Sequence, residues 1–336
     1  MKLDEVRWAF IGCGNVTEKK SGPAFEKIEG SRVMGVFRRD REKALDYARR
    51  HGIAKVYDNV DQLLNDSEVN AVYVATPHAL HKPYALMVAK AGKACYVEKP
   101  LGISYKDAFE IYEAFHTKGL PLFVAYYRRK LPPFVWLREF LLQGHLGKIT
   151  GGELKFIRPA RPTEKDPSTL PWRLKRELSG GGYLFDLGPH HIDYLSYVFE
   201  KVTVKDSIHE NRGGFYEVED YTLAHLLLGD DVPFEAEWNF AAPEGQAADY
   251  IRFTGERGSV EMPFFGPYPI KVHLHDKNYL FRIDPPAHVQ QPLLETVVGE
   301  LLGRPVQCPS TGLTALETNR ILEEIVEAKQ TIKKFN

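Results

Sequence analysis

A chain of 336 residues with 44 lysines and arginines against 45 aspartates and glutamates is close to neutral, at a net charge of −1. That balance speaks against a nucleic-acid binder, which relies on a basic stripe, and no apolar run approaches the roughly 20 residues of a membrane helix. At 43% hydrophobic and 26% charged, with no low-complexity tract, the composition suits a globular protein long enough for two domains with separate cores. The opening "MKLDEVRWAF" carries acids where a secretory leader needs a basic start and a long apolar core, so no leader is expected. Cys13, Cys95 and Cys308 lack metal-ligand spacing, which predicts a reducing, cytoplasmic setting and no bound metal.

In chain order, residues 6–12 (VRWAFIG), 31–37 (SRVMGVF), 69–76 (VNAVYVAT), 94–100 (ACYVEKP) and 120–129 (LPLFVAYYRR) read as strands. Helical segments lie between them at 41–51, 81–93 and up to residue 115. Apolar strands rich in Val, Ile and Ala that alternate with helices predict a parallel sheet covered on both faces. Residues 1–125 therefore read as a doubly wound α/β domain. After a helix at 133–147 the pattern changes. Residues 148–156, 221–229, 233–241, 250–263 and 270–276 carry β-branched and aromatic side chains between Gly and Pro, without intervening helices. They predict a mostly antiparallel sheet in a second, α+β domain over 126–336. One helical insertion, at 180–199, interrupts the strands, and residues 291–334 turn helical again.

The stretch FIGCGNVT follows the first strand directly. Gly12 makes the tight turn, Gly14 leaves room for a pyrophosphate, and the next helix offers its first N–H groups to the anion. Thr17 stands where the third glycine of the motif is usual, and Pro23 breaks the first helix, with Ser21 placed to cap its restart. The second strand ends in VFRRD. An NAD site usually sets an acid at this tip for the ribose 2′-hydroxyl, whereas Arg38 and Arg39 suit a 2′-phosphate. The expected cofactor is NADP, with NAD as the alternative. Were the strand two residues longer, Asp40 would take the ribose role.

Within GGGYLFDLGPHHIDYL, Asp186 and His190 are four apart and share one face of a continuous helix, with His191 roughly 100° away. Pro189 predicts either a kink near 185–189 or a helix restart. Alcohol–ketone redox needs a base that titrates near working pH, which an imidazole supplies, and a carboxylate beside it orients the ring. A nearby lysine stabilises developing charge on the substrate oxygen. The plain alternative for Asp186 and His190 is a satisfied polar pair at a helix start. The HLHD run has metal-like spacing, but an alternating strand turns such histidines to solvent or to a partner.

Taken together, GCGNVT, ATPHALH, VEKPLG, PWR and GGGYLFDLGPHHID resemble the glucose–fructose oxidoreductase / inositol dehydrogenase (Gfo/Idh/MocA) family. The resemblance covers nearly the whole chain and is weakest over residues 200–284. It implies a Rossmann domain followed by a substrate and oligomerisation domain with a large, open-faced sheet. The helices at 291–334 are expected to pack back toward the N-terminal domain. The implied function is an NAD(P)-dependent dehydrogenase or reductase on a sugar- or cyclitol-like substrate. Lys99, Asp186 and His190 are then catalytic, and the Lys99–Pro100 bond is expected to be cis. Cofactor-side positions are Gly12, Gly14, Asn15, Val16, Arg38, Arg39, Thr76, Pro77, His81, Glu98, Lys99, Arg128, Trp172 and Arg173. The substrate side comprises Lys99, Tyr127, Asp186 and His190. Tyr127 and His78 stand where relatives often carry other residues, so a cyclic trans-diol, as in dihydrodiol dehydrogenases, is an alternative substrate. A non-catalytic sensor or co-repressor is an alternative of another class. The expected assembly is a homodimer or homotetramer through the C-terminal sheet, without nucleic acid or membrane.

Overall fold

Along Val6–Ile11 the side chains alternate between two buried layers. Trp8 and Phe10 face one side and Ala9 and Ile11 the other, all fully buried. A strand hidden on both faces must be apolar throughout, and it forms the centre of a parallel sheet. The computed structural model describes residues 2–328. The chain divides into two units, Met1–Leu131 with Pro285–Asn319, and Pro132–Asp284 with Arg320–Asn336.

In the first unit, β1 (Val6–Ile11), β2 (Ser31–Phe37), β3 (Lys55–Val56), β4 (Ala71–Val74), β5 (Ala94–Val97) and β6 (Leu122–Val124) pair in the order β3-β2-β1-β4-β5-β6. Every pairing is parallel, the doubly wound Rossmann arrangement expected. The connecting helices are α1 (Asn15–Lys19), α2 (Gly22–Phe25), α3 (Arg41–His51), α4 (Val60–Asn65), α5 (His81–Lys90) and α6 (Tyr105–His116). One sheet face carries an aromatic layer, with Phe10–Phe25, Phe25–Tyr73 and Tyr73–Tyr96 ring centroids 4.8, 5.1 and 5.2 Å apart. The other face is aliphatic, built on Ile11, Val72, Val74 and Val97. β3 has no counterpart in the sequence reading, since two half-buried residues at a sheet edge carry no periodic signal.

Three local expectations need correction. The strand expected over 120–129 ends at Val124, and Tyr127–Lys130 forms a 3-10 turn instead. The unit continues to Leu131 rather than 125 because its later segment is stitched to this stretch: Ser310 Oγ donates to the Val124 carbonyl (2.7 Å) and Arg129 to that of Pro309 (2.7 Å). Ser21 does sit at the N-cap of α2, but its hydroxyl makes no cap bond there. It points to the Tyr73 hydroxyl, 3.0 Å away, inside the core.

The second unit contains α7 (Pro132–Leu142), α8 (Arg176–Ser179) and α9 (Gly182–Phe199). Its eight strands are β7 (Ile149–Pro159), β8 (Val202–Glu210), β9 (Tyr221–Leu228), β10 (Val232–Ala242), β11 (Ala248–Gly255), β12 (Gly258–Met262), β13 (Pro269–Leu274) and β14 (Lys277–Arg282). They run in the order β14-β13-β12-β11-β7-β10-β9-β8, antiparallel except for the β7–β10 pair. Period-two alternation splits the sheet. Leu154, Ala236, Trp238, Ile251 and Val260 are buried on one face, while Glu153, Arg252, Glu261 and Lys271 form a charged row on the other. The sequence reading lacks β8 and β14, whose mixed polar composition hides the alternation.

Helix α9 runs continuously through Pro189, so the restart, one of the two expectations, does not occur. The residue before proline is pushed from helical geometry by clashes of the ring with its N–H and its Cβ, and Gly188 lacks the second of these. The first turn of α9 is fixed by Tyr183, whose hydroxyl donates to Glu164 (2.6 Å), a buried carboxylate also held by Arg158 (2.8 and 3.0 Å). Burial alone would raise the Glu164 pKa; the Arg158 and Tyr183 hydrogen bonds outweigh it and keep the group below its ordinary value. The unit divide falls inside α11 (Gly312–Glu327), after α10 (Gln291–Leu301) in the first unit. The helix expected to reach 334 is described only to Glu327, and residues 329–336 lie outside the described ones.

The turn after β1 depends on Gly12. Its φ is +93°, and a Cβ there would lie 2.6 Å from the Ala75 carbonyl oxygen. Gly14 has φ −135°, and a Cβ there would meet nothing within 4 Å. Gly12→Ala is therefore expected to lose at least ~2 kcal/mol of stability in urea unfolding, from the left-handed backbone and the collision together. Gly14→Ala should stay within about 1 kcal/mol of the parent. Equal losses in the two variants would contradict this account of the turn.

Candidate active site

The C-terminal ends of β1 and β4 lie where the strand order reverses, the place at which open parallel sheets take their ligands. Here Gly14 occupies the N-cap of α1, ahead of the exposed Asn15 and half-buried Val16. Thr17, in place of a third glycine, is buried and donates its hydroxyl to the Gly14 carbonyl (2.8 Å), bracing the turn from inside. Arg38 donates to the Cys13 carbonyl (2.6 Å), which sets its guanidinium against the glycine turn, while Arg39 is exposed. Strand β2 stops at Phe37, and Asp40 caps α3 by accepting from the Lys43 N–H (3.2 Å). Its carboxylate also pairs with Lys43 Nζ at 2.7 Å, and these bonds hold its pKa below the usual range. Burial pushes the Cys13 thiol up to about 11, so it remains protonated.

At the end of β4, Thr76 and Pro77 are half-buried. His81 is fully buried, its Nδ1 2.7 Å from the Pro100 carbonyl and its Nε2 3.0 Å from that of Thr76. Burial lowers its pKa to about 3, so the ring is neutral and serves one of the two carbonyls at a time. The imidazole thus ties the turn after β4 to the turn after β5. At that second turn Glu98 is buried, Lys99 half-buried, and the Lys99–Pro100 bond is cis as expected.

Glu98 Oε1 accepts from the Tyr73 hydroxyl (2.6 Å) and from Gln290 Nε2 (2.7 Å), and Gln290 Oε1 in turn accepts from the Tyr96 hydroxyl (2.9 Å). Sequence reasoning missed Tyr73 and Gln290. Tyr73 looked like core, and Gln290 is separated from Glu98 by 192 positions. Arg128 is buried, donating to the Tyr127 hydroxyl (3.2 Å) with its guanidinium 5.0 Å from that ring.

In the second unit, α9 carries Asp186 and His190 one turn apart on one face, both buried. Arg173 donates from Nε to Asp186 Oδ2 at 2.6 Å, and its guanidinium sits 4.6 Å from the Trp172 ring. Arg173 thus links Trp172 to Asp186. His191 turns into the core beneath α9: Trp238 Nε1 donates to its Nδ1 (3.2 Å), and the Phe264 ring lies 4.0 Å away. His190 instead faces Phe265, at 6.2 Å between ring centroids. Among the described residues, no three His, Cys, Asp or Glu side chains are grouped to hold a metal ion, and no helix is long and apolar enough to cross a membrane.

The structure therefore assembles two constellations. One joins Gly12, Gly14, Arg38, Thr76, His81, Glu98 and Lys99 at the strand ends of the first unit; the other sets Trp172, Arg173, Asp186 and His190 on α9 and the turn before it.

Comparison with known proteins matches segments in both units of the chain. Residues 6–126 match the family described as "Oxidoreductase family, NAD-binding Rossmann fold", and residues 134–261 match the GFO/IDH/MocA C-terminal domain. Oxidoreductase P35 of Formosa agariphila is 37% identical over 300 residues, covering 88% of this chain and 91% of the relative. The trans-1,2-dihydrobenzene-1,2-diol dehydrogenase of Macaca fuscata is 29% identical over 285 residues, 82% of this chain and 80% of that enzyme. The crystal structure of the aldose-aldose oxidoreductase of Caulobacter crescentus shares the fold, with a TM-score of 0.82 over 96% of each chain at 22% identity. With a parallel NAD-binding sheet followed by this mixed eight-stranded one, the chain belongs to the GFO/IDH/MocA oxidoreductase family.

Proposed function

We propose that this oxidoreductase interconverts a hydroxyl-bearing and a carbonyl carbon on a sugar- or cyclitol-like substrate, with NADP as its preferred cofactor. The observation that carries the reading is the unbroken course of α9, which sets Asp186 and His190 one turn apart and separates both from the core-facing His191. Gly12, Gly14, Arg38 and Thr76 would hold the dinucleotide at the strand ends, and it would supply the hydride chemistry. His190 accepts the hydroxyl proton in the oxidative direction and gives it back in the reductive one. Lys99 holds the substrate oxygen and stabilises the negative charge that develops there. Asp186 orients His190 and is itself fixed by Arg173. The Glu98 network with Tyr73 and Gln290 and the His81 tie to Pro100 hold the main chain on either side of Lys99.

Two features of the first unit support NADP. Arg38 and Arg39 stand at the tip of β2, and the acid that would serve a ribose hydroxyl, Asp40, is committed to capping α3. The similarity to a dihydrodiol dehydrogenase favours a cyclic trans-diol as the second reading of the substrate.

For His190→Asn and for Lys99→Met, turnover is expected to fall at least ~100-fold, the lower end of what an acid–base group contributes. Steady-state assays by NADPH absorbance over ketoses, aldoses, cyclitols and a trans-dihydrodiol check this, and undiminished turnover in either variant would defeat the role given to that residue. A wild-type protein that binds NADPH tightly but stays silent across the panel would instead favour a sensor. For the cofactor, Arg39→Ala should weaken NADPH binding about tenfold, the worth of one charge-assisted hydrogen bond, and leave NADH binding nearly unchanged in fluorescence titrations. Equal effects on both cofactors, or tighter NADH binding by the parent, would contradict the arginine argument.

A further inference from the structure

The segment between β12 and β13, Pro-Phe-Phe-Gly-Pro-Tyr-Pro, carries two adjacent aromatic residues with different fates. Phe264 is fully buried, its ring 4.0 Å from His191 and 4.9 Å from Phe134, and it does the work of a core residue. Phe265 is only half-buried. Its ring is steeply inclined to those of Phe156 (5.0 Å, 67°), His191 (5.3 Å, 77°) and His190 (6.2 Å, 75°). The loop that presents it is held by one side chain: Asp249 accepts from the N–H groups of both Phe264 and Phe265, each at 2.9 Å. Two successive amides on one carboxylate fix the backbone orientation at that point, so the Phe265 ring is set in place before any ligand arrives.

A pre-set, half-exposed aromatic ring beside the imidazole has a specific use. The face of a benzene ring is its negative side, and the axial C–H groups of a saturated ring bearing hydroxyls are slightly positive. A closed six-membered polyol presents several such C–H groups together on one face, whereas an open-chain polyol with the same hydroxyls does not hold them in a plane. We propose that Phe265 is the stacking floor of the substrate site on α9, so that the enzyme selects closed-ring over open-chain polyols. Asp249 serves it as a positioning residue. This rests on the assignment of His190 as the proton-exchanging group only for the location of the site; the selectivity is a property of binding and is measured without turnover.

The test uses the full chain with bound NADP and two matched probes, 1,5-anhydro-D-glucitol as the closed ring and D-glucitol as its open-chain counterpart. Ligand-observed NMR gives their dissociation constants in the parent protein, in Phe265→Leu, which keeps apolar bulk without a flat face, and in Phe265→Tyr, which keeps the face. Phe265→Leu is expected to weaken the ring probe about fivefold to tenfold, with the open chain changed less than twofold and Phe265→Tyr close to the parent. Selective saturation of aromatic protons in the parent should reach the C–H protons of one face of the ring probe first, a result that stands even if the leucine variant fails to fold. Equal weakening of both probes, unchanged affinity for the ring in folded Phe265→Leu, or saturation transfer without face preference would overturn the proposal. Failure of the dehydrogenase reading looks different, as ring selectivity that depends on Phe265 with no hydride transfer to any carbonyl probe; that outcome would leave the stacking floor standing.

Discussion

A strand covered on both faces has no room for charge until it ends. In β5 the run Ala-Cys-Tyr-Val is completely buried, and the first ionisable side chains, Glu98 and Lys99, follow at its carboxyl end. Glu98 falls on the aromatic face with Tyr96, where Tyr73 and Gln290 hydrogen-bond its carboxylate. The buried carboxylate is an anchor, satisfied by neutral donors, that fixes the residue before the lysine. Pro100 and its carbonyl contact to His81 fix the residue after it. The placement of one amine thus follows from the architecture of the parallel sheet.

The second unit solves the same problem with a helix. An imidazole and a carboxylate can be set at a fixed spacing only if the helix between them is unbroken, and Pro189 threatens that. Gly188 spares the chain the part of the strain that a Cβ before proline would add, and Tyr183 on Glu164 ties down the first turn. Of the two adjacent histidines, His191 is spent on the core, wedged among Trp238 and Phe264. Arg173 on Asp186 gives the carboxylate a permanent counter-charge. The aromatic loop beyond β12 supplies an apolar surface beside His190.

Much of this was legible in the sequence because it rests on local rules. Buried strands show as apolar runs, glycines at 12 and 14 mark the turn after β1, and the four-residue spacing of Asp186 and His190 needs only helical geometry. What stayed hidden depends on distant partners or on weak patterning. Gln290 reaches Glu98 from 192 positions away, and Arg173 pairs with Asp186 from outside the helix that carries it. Ser21 fits a capping position by type, yet the proximity of Tyr73 in the folded core redirected its hydroxyl. Phe265 carried no signal at all, since only the fold shows that its neighbour Phe264 already fills the core. The short edge strand β3 and the polar strands β8 and β14 escaped for a simpler reason, as sheet pairing supplies what their composition does not.

The central claim is that the imidazole of His190 exchanges the proton of a substrate hydroxyl. A crystal structure of the enzyme with NADP and a closed-ring polyol tests it most directly. One hydroxyl oxygen of the ligand should lie within about 3.2 Å of a ring nitrogen of His190. A well-ordered ligand whose every oxygen stands more than about 6 Å from that ring would contradict the account.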